Sequence, residues 1–97
     1  MRIGSPASTS KFPTAYTNVT LRNNIMRGAL RAGLYIDRTR VNVTLTNNTI
    51  DGPATQGIWI TSGVTGTGTF RGNKVRNLRS GQVATQNDSP TTFGVTR

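Results

Sequence analysis

The chain contains no cysteine and no histidine, and only three of its 97 residues are acidic. Without cysteine it can form no disulfide, and without cysteine or histidine it lacks the usual ligands of a structural zinc ion. No stretch approaches the roughly 20 apolar residues that a membrane-spanning helix requires. We therefore expect a domain without disulfides, metal or cofactor, and without a membrane partner.

The shortage of acidic residues also argues against catalysis. A glycosidase generally holds two carboxylates about 5–9.5 Å apart, and calcium-dependent lyases need several acidic ligands. The acids Asp37, Asp51 and Asp88 fall at different positions of the repeat described below, so they are not expected to converge. Serine and threonine are abundant, but no histidine is present to act as their base. The chain is therefore not expected to be an enzyme on its own.

The sequence does contain a pattern that is repeated three times. Asn18–Asn24 reads NVTLRNN, Asn42–Asn48 reads NVTLTNN, and Thr67–Asn73 reads TGTFRGN. The first two copies are 24 residues apart, as the equivalent residues Asn24 and Asn48 show. Repeats of roughly 20 to 50 residues are typical of solenoids, in which each unit buries its apolar face against the next.

A second motif marks another strand of the repeat. GLYI at Gly33–Ile36 returns as GIWI at Gly57–Ile60, and the same spacing places Gly81–Ala84 at this position of the third copy. β-Branched and aromatic residues that alternate with polar ones are typical of strands, and no amphipathic helix is evident. The sequence therefore predicts an all-β fold, a right-handed parallel β-helix (solenoid) of about three 24-residue coils.

The phase of the strands predicts which side chains point inward. They are Val19, Leu21, Met26, Leu34 and Ile36 in the first coil, Val43, Leu45, Ile50, Ile58 and Ile60 in the second, and Phe70 and Val75 in the third. The second asparagine of each pair, Asn24, Asn48 and Asn73, recurs at a corner where inward amides about 4.8 Å apart can bond one another. One interpretation is an asparagine ladder, and the other is a set of turns that tolerate a left-handed backbone.

The repeat also suggests how the chain is divided. The predicted divisions are an N-terminal cap or disordered leader at 1–16, coils at about 17–40, 41–64 and 65–90, and a partial fourth coil at 91–97. In the cap interpretation, Ile3, Phe12 and Tyr16 would cover the open first coil. We also expect a homo-oligomer, in which self-association covers Phe93 and Val95 or an aromatic face of the sheet.

The run NVTLxNNxI, then GIWI, then GTGTFRGNKVRNLRSGQVATQNDSPTTF, resembles the right-handed parallel β-helix repeats of secreted polysaccharide-active enzymes, in particular mycodextranase-like α-1,3-glucanases. The resemblance covers about Asn18 to Phe93. It implies a β-helix and a connection to polysaccharide, with this chain as a fragment of a polysaccharide-degrading enzyme. It also implies secretion, although Met1–Tyr16 lacks the apolar run of a signal peptide. The acidic cluster that performs catalysis in that family has no matching residues here.

Tyr35 and Trp59 lie between inward residues in GLYI and GIWI, so they should project outward on adjacent coils. Stacked aromatic rings on a flat sheet form a platform for sugar rings, and Gln56, Thr61 and Arg38 could hydrogen-bond the hydroxyl groups. The alternatives are an aromatic pair that only stabilises the sheet, or a subunit contact. The resemblance, rather than the aromatic pair by itself, favours a non-catalytic carbohydrate-associated module over a self-assembling solenoid without a ligand.

The net charge of +9 is unevenly distributed, because Val41–Val64 contains neither lysine nor arginine. Alignment of the copies gives the columns Arg22, Thr46, Arg71; Arg27, Asp51, Arg76; and Arg31, Thr55, Arg79. Like charges two rungs apart, about 9.6 Å, are near the Debye length, a spacing that stability alone would favour. The charge also favours a polyanion such as an acidic glycan or nucleic acid. Specific nucleic-acid binding is not expected, because no helix is available to enter a groove.

Overall fold

The computed structural model describes residues 1–4 and 16–97. The described residues form the strands β1 (Arg2–Gly4), β2 (Thr17–Arg22), β3 (Ile25–Arg27), β4 (Leu34–Asp37), β5 (Arg40–Thr46), β6 (Thr49–Asp51), β7 (Ile58–Ile60), β8 (Thr65–Arg71), β9 (Lys74–Arg76), β10 (Thr85–Asn87) and β11 (Phe93–Thr96). No helix among these residues is long and apolar enough to cross a lipid bilayer.

The strands form three parallel sheets that run along the stack of coils. Sheet A contains β1, β4, β7 and β10, sheet B contains β2, β5, β8 and β11, and sheet C contains β3, β6 and β9. From β2 onward, the chain visits sheets B, C and A in turn, so each full coil contributes one strand to each sheet. This arrangement confirms the predicted all-β solenoid of about three coils.

The first two coils are in the predicted register. Val19 lies beside Val43 in sheet B, and Leu34 lies beside Ile58 in sheet A. The inward side chains form one continuous core of Leu34, Ile36, Val41, Val43, Leu45, Ile50, Ile58, Ile60, Val64, Phe70 and Phe93. Each coil therefore buries its apolar face against the next, as stacking of a repeat requires.

The third coil departs from the predicted alignment. Thr85–Asn87, not Gly81–Ala84, pairs with Ile58–Ile60. The prediction was wrong because the loop between β9 and β10 spans residues 77–84, whereas the equivalent loop of the preceding coil spans only 52–57. Surface loops can absorb insertions without disturbing the stack, and Val83, predicted to lie in the strand, is exposed.

The corner between sheets B and C takes two residues in every coil. The first residue has a left-handed backbone, with φ of 56° at Asn23, 54° at Asn47 and 64° at Gly72. The second residue of each corner is an asparagine. The Asn24 Nδ2 group donates to Asn48 Oδ1 at 3.1 Å, and Asn48 Nδ2 donates to Asn73 Oδ1 at 3.0 Å. The two members of each pair therefore do different things, one turning the chain and the other linking the coils.

The part of 1–16 that the structure describes lies beside the first coil. β1 pairs with β4, with Ile3 next to Ile36, and the Ile3 side chain packs against the core. Tyr16 is exposed, and Phe12 lies outside the described residues. Ile3 therefore covers part of the first coil.

At the other end, β11 pairs with β8 and adds a fourth rung to sheet B. The Phe93 side chain is fully buried inside the chain, with 0% of its surface exposed. Phe93 therefore offers no apolar surface for the self-association expected from the sequence, because its contacts are already made within the solenoid. Val95 is half-buried against the same core, so the homo-oligomer stays a prediction, with the exposed part of Val95 or the outward aromatic residues as its contact surface.

Candidate ligand-binding face

The outer face of sheet A carries a continuous row of polar and aromatic side chains. Parallel pairing places Arg2 beside Tyr35, Tyr35 beside Trp59, and Trp59 beside Gln86. These four residues, here called the aromatic row, occupy four consecutive rungs. Their neighbours along β4 and β7 are buried, so the period of two turns the row outward.

The two aromatic rings meet edge to face rather than as a flat platform. Their centroids are 5.0 Å apart and their planes differ by 80°. The guanidinium carbon of Arg2 lies 5.2 Å from the centroid of the Tyr35 ring, within the range of a cation–π contact. Because the planes are nearly perpendicular, a sugar ring can lie flat on only one of these rings at a time.

A hydrogen-bonded network fixes the Trp59 end of the row. The indole Nε1 group of Trp59 donates to Asp88 Oδ2 at 2.8 Å, and Gln86 Nε2 donates to both carboxylate oxygens of Asp88 at 3.0 and 3.1 Å. Gln56 Nε2 donates to Gln86 Oε1 at 2.6 Å. The face therefore presents an oriented indole beside an exposed carboxylate and two amides.

Sequence analysis found Trp59 and Gln56 but missed Gln86 and Asp88. The cause is the shifted third coil, which placed Val83 rather than Gln86 next to Trp59. A signal was present, because Asp88 follows a strand of sheet A as Asp37 follows Ile36. An alignment anchored on that aspartate would have brought Gln86 into the row.

Two other expected site residues lie in the corner that follows the strands of sheet A. Thr61 retains only 9% exposure, and its hydroxyl donates to Asp37 Oδ1 at 2.9 Å. Arg38 turns the chain after β4 with a left-handed φ of 39°, and its Nε atom is buried without a hydrogen-bond partner. Ser89 joins the same corner, since its hydroxyl donates to the Thr61 carbonyl oxygen at 2.9 Å. Thr61, Arg38 and Ser89 lie in the corner between sheets A and B.

The three acidic side chains do not come together at one place, but their positions in the coils differ from those expected. Asp37 is the last residue of β4 and Asp88 directly follows β10, with Thr61 on the rung between them, so their predicted separation into different positions was wrong. Asp37 is buried and Asp88 is exposed, and Asp51 lies on sheet C. Among the described residues, no three histidine, cysteine, aspartate or glutamate side chains form a group suited to a metal ion.

The hydrogen bond from Trp59, and to a smaller extent those from Gln86, hold the pKa of the Asp88 carboxyl below its ordinary value of 3.8. A depressed pKa means that the interaction favours the folded protein above the unfolded pKa and is lost as the pH falls through the folded value. We therefore expect Trp59 fluorescence to follow the protonation of Asp88, with a midpoint below pH 3.8.

The measurement is a fluorescence titration from about pH 6 to about pH 2, with circular dichroism recorded in parallel to detect unfolding. Asp88→Asn keeps an acceptor oxygen but cannot ionise, so this local transition should be absent in that variant. A midpoint at or above 3.8 in the parent protein would contradict the network.

Comparison with known protein families supports the architecture directly. The model of the family described as the right handed beta helix region matches residues 12–95. The chain belongs to this family. No curated protein and no solved structure matches it. Membership accounts for the stacked parallel coils, and none of the comparisons supports the narrower resemblance to mycodextranase-like α-1,3-glucanases.

Proposed function

We propose that this β-helix module binds carbohydrate without cleaving it, and that the aromatic row is the contact surface. The observation that carries the proposal is the Trp59 indole, oriented by Asp88 and Gln86 on the outer face of a parallel sheet. The resemblance to repeats of polysaccharide-active enzymes supports the same class of ligand, with this module as part of such an enzyme.

Trp59 is the ring best placed to carry a sugar. Arg2 already contacts the Tyr35 ring, and Tyr35 meets Trp59 with perpendicular planes. The apolar C–H face of a pyranose can pack on the indole, because an aromatic ring combines a large apolar surface with a polar edge. The Asp88 carboxylate and the Gln86 amide lie beside that ring and can exchange hydrogen bonds with hydroxyl groups.

A single indole on an open face gives a weak site. Titration of the protein with neutral α-glucan oligosaccharides should change Trp59 fluorescence with a Kd of about 1 mM, equivalent to about 4 kcal/mol of binding free energy. Trp59 is the single tryptophan of the chain, so the signal reports on this position directly.

A matched pair of variants tests the contact. Asp88→Asn should weaken binding several-fold, because a charged acceptor forms stronger hydrogen bonds with hydroxyls than an amide does. Asp51→Asn makes the same change of charge on sheet C, away from Trp59, and should leave the titration with neutral α-glucan unchanged. If no neutral or acidic glycan alters Trp59 fluorescence at millimolar concentration, the row serves only to stabilise the sheet.

A further inference from the structure

Five exposed basic side chains lie on sheets B and C, on either side of the corner between them. Arg22 and Arg71 end the first and third full strands of sheet B, and sheet C begins again after only two residues. The exposed cations of sheet C are Arg27, Lys74 and Arg76. We call these five residues the basic edge. In the sequence alignment the basic residues fall in separate columns. The two-residue corner places the column of Arg22 and Arg71 on one side of this edge and the column of Arg27 and Arg76 on the other.

The coil between these cations is neutral or acidic on the same edge. Thr46 lies between Arg22 and Arg71, and Asp51 lies between Arg27 and Arg76. The Asp51 Oδ1 atom accepts a hydrogen bond from Asn77 Nδ2 at 2.6 Å, which keeps the carboxylate at this place. Along the edge, positive charge therefore recurs on every second rung, about 9.6 Å apart.

We propose that the basic edge binds an acidic polysaccharide whose carboxylates recur on alternate sugars. An extended sugar chain advances by roughly two rungs per disaccharide, so acidic sugars would meet the arginines of the first and third coils. Arginine forms paired hydrogen bonds with a planar carboxylate. The intervening neutral sugar would face the Thr46 hydroxyl, whereas a carboxylate there would be repelled by Asp51.

This surface fits nucleic acid less well. None of the five side chains is aromatic, and single-stranded nucleic acids are held mainly by bases stacked on aromatic rings. The edge consists of short strands and a two-residue corner, and it offers no helix or ribbon for a groove. It also lies away from sheet A, so the proposal is independent of the aromatic row.

Pattern must be separated from simple charge attraction. We would measure binding of hyaluronan oligosaccharides, in which acidic and neutral sugars alternate, and of galacturonan oligosaccharides of equal length, in which every sugar is acidic. General attraction favours the more highly charged galacturonan. The proposal requires tighter binding of hyaluronan, and tighter binding of galacturonan or of a single-stranded oligonucleotide would overturn it.

Two double variants with equal net charge locate the contact. Arg22→Thr with Arg71→Thr extends the threonine already present at position 46, and should weaken hyaluronan binding about tenfold and reduce its salt dependence. Arg31→Thr with Arg79→Thr removes the same charge from exposed residues of the loops between sheets C and A. That control should change affinity less than about twofold. Equal losses in the two variants would overturn the proposal.

The middle rung can be tested separately. Asp51→Asn removes the negative charge but keeps an oxygen that can accept the hydrogen bond from Asn77. Galacturonan binding should then improve several-fold more than hyaluronan binding, because only galacturonan places a carboxylate at this rung. A proportional improvement for both glycans would show that Asp51 does not select between them and would contradict the proposed alignment.

Discussion

Replacing Asn48 by alanine is expected to lower the free energy of unfolding by about 3 kcal/mol, the upper end for leaving buried polar groups unpaired. Asn48 retains 2% exposure, and its Nδ2 group donates to the Leu21 carbonyl oxygen at 2.9 Å and to Asn73. Its Oδ1 atom accepts from the backbone and side-chain nitrogens of Asn24. Truncation leaves groups unpaired in both adjacent coils, so chemical denaturation should show the loss.

The neighbouring asparagine provides the matched control. Asn47 is exposed and has a φ of 54°, a backbone conformation that glycine adopts without strain. Asn47→Gly should therefore change the unfolding free energy by less than about 1 kcal/mol. Equal stability of the Asn48→Ala and Asn47→Gly variants would show that the ladder hydrogen bonds contribute little to holding the coils together.

Gly66→Ala is expected to be at least as damaging, at about 3 kcal/mol or more. Gly66 in β8 has a φ of 128°, where side chains other than glycine are strained, and a Cβ atom would overlap the backbone carbonyl oxygen of Val41 on the adjacent strand. Gly66 also pairs with Phe93 on its other side, so a shift of β8 would disturb sheet B in both directions. Thermal or chemical unfolding should show a large decrease.

Gly63→Ala separates backbone strain from the steric overlap. Gly63 also has a positive φ, of 90°, but a Cβ atom there would have no neighbour within 4 Å. This variant should lose only the conformational term, about 1–2 kcal/mol. If both variants lost the same amount, the close approach of β8 to Val41 would not be the cause.

The sequence left two interpretations open for its paired asparagines, and the structure assigns one to each residue. Asn23 and Asn47 turn the chain with a left-handed backbone, and glycine replaces them at Gly72 in the third coil. Asn24 and Asn48 supply the side chains that bond between coils. The sequence could not assign these roles within an Asn-Asn pair, because asparagine suits a left-handed turn and a buried amide ladder equally well.

The sequence alone determined the solenoid, the strands of its first two full coils and most of its core. Strand phase is local, because alternate residues face opposite sides, and a repeat of fixed period places like residues on successive rungs. Val19, Val43 and Leu45 could therefore be assigned to the interior without coordinates. The outward phase of Tyr35 and Trp59 followed from the same rule.

Only the tertiary structure decided which polar groups meet. Trp59 and Asp88 are separated by 29 residues, and their contact depends on the length of the loop before β10, which no strand pattern encodes. The same loop moved Gln86 into the aromatic row and left Val83 exposed. The sequence predicted a surface hydroxyl at Thr61, whereas the fold buries it at the corner. Burial of a turn residue depends on the coils above and below it, not on its own sequence.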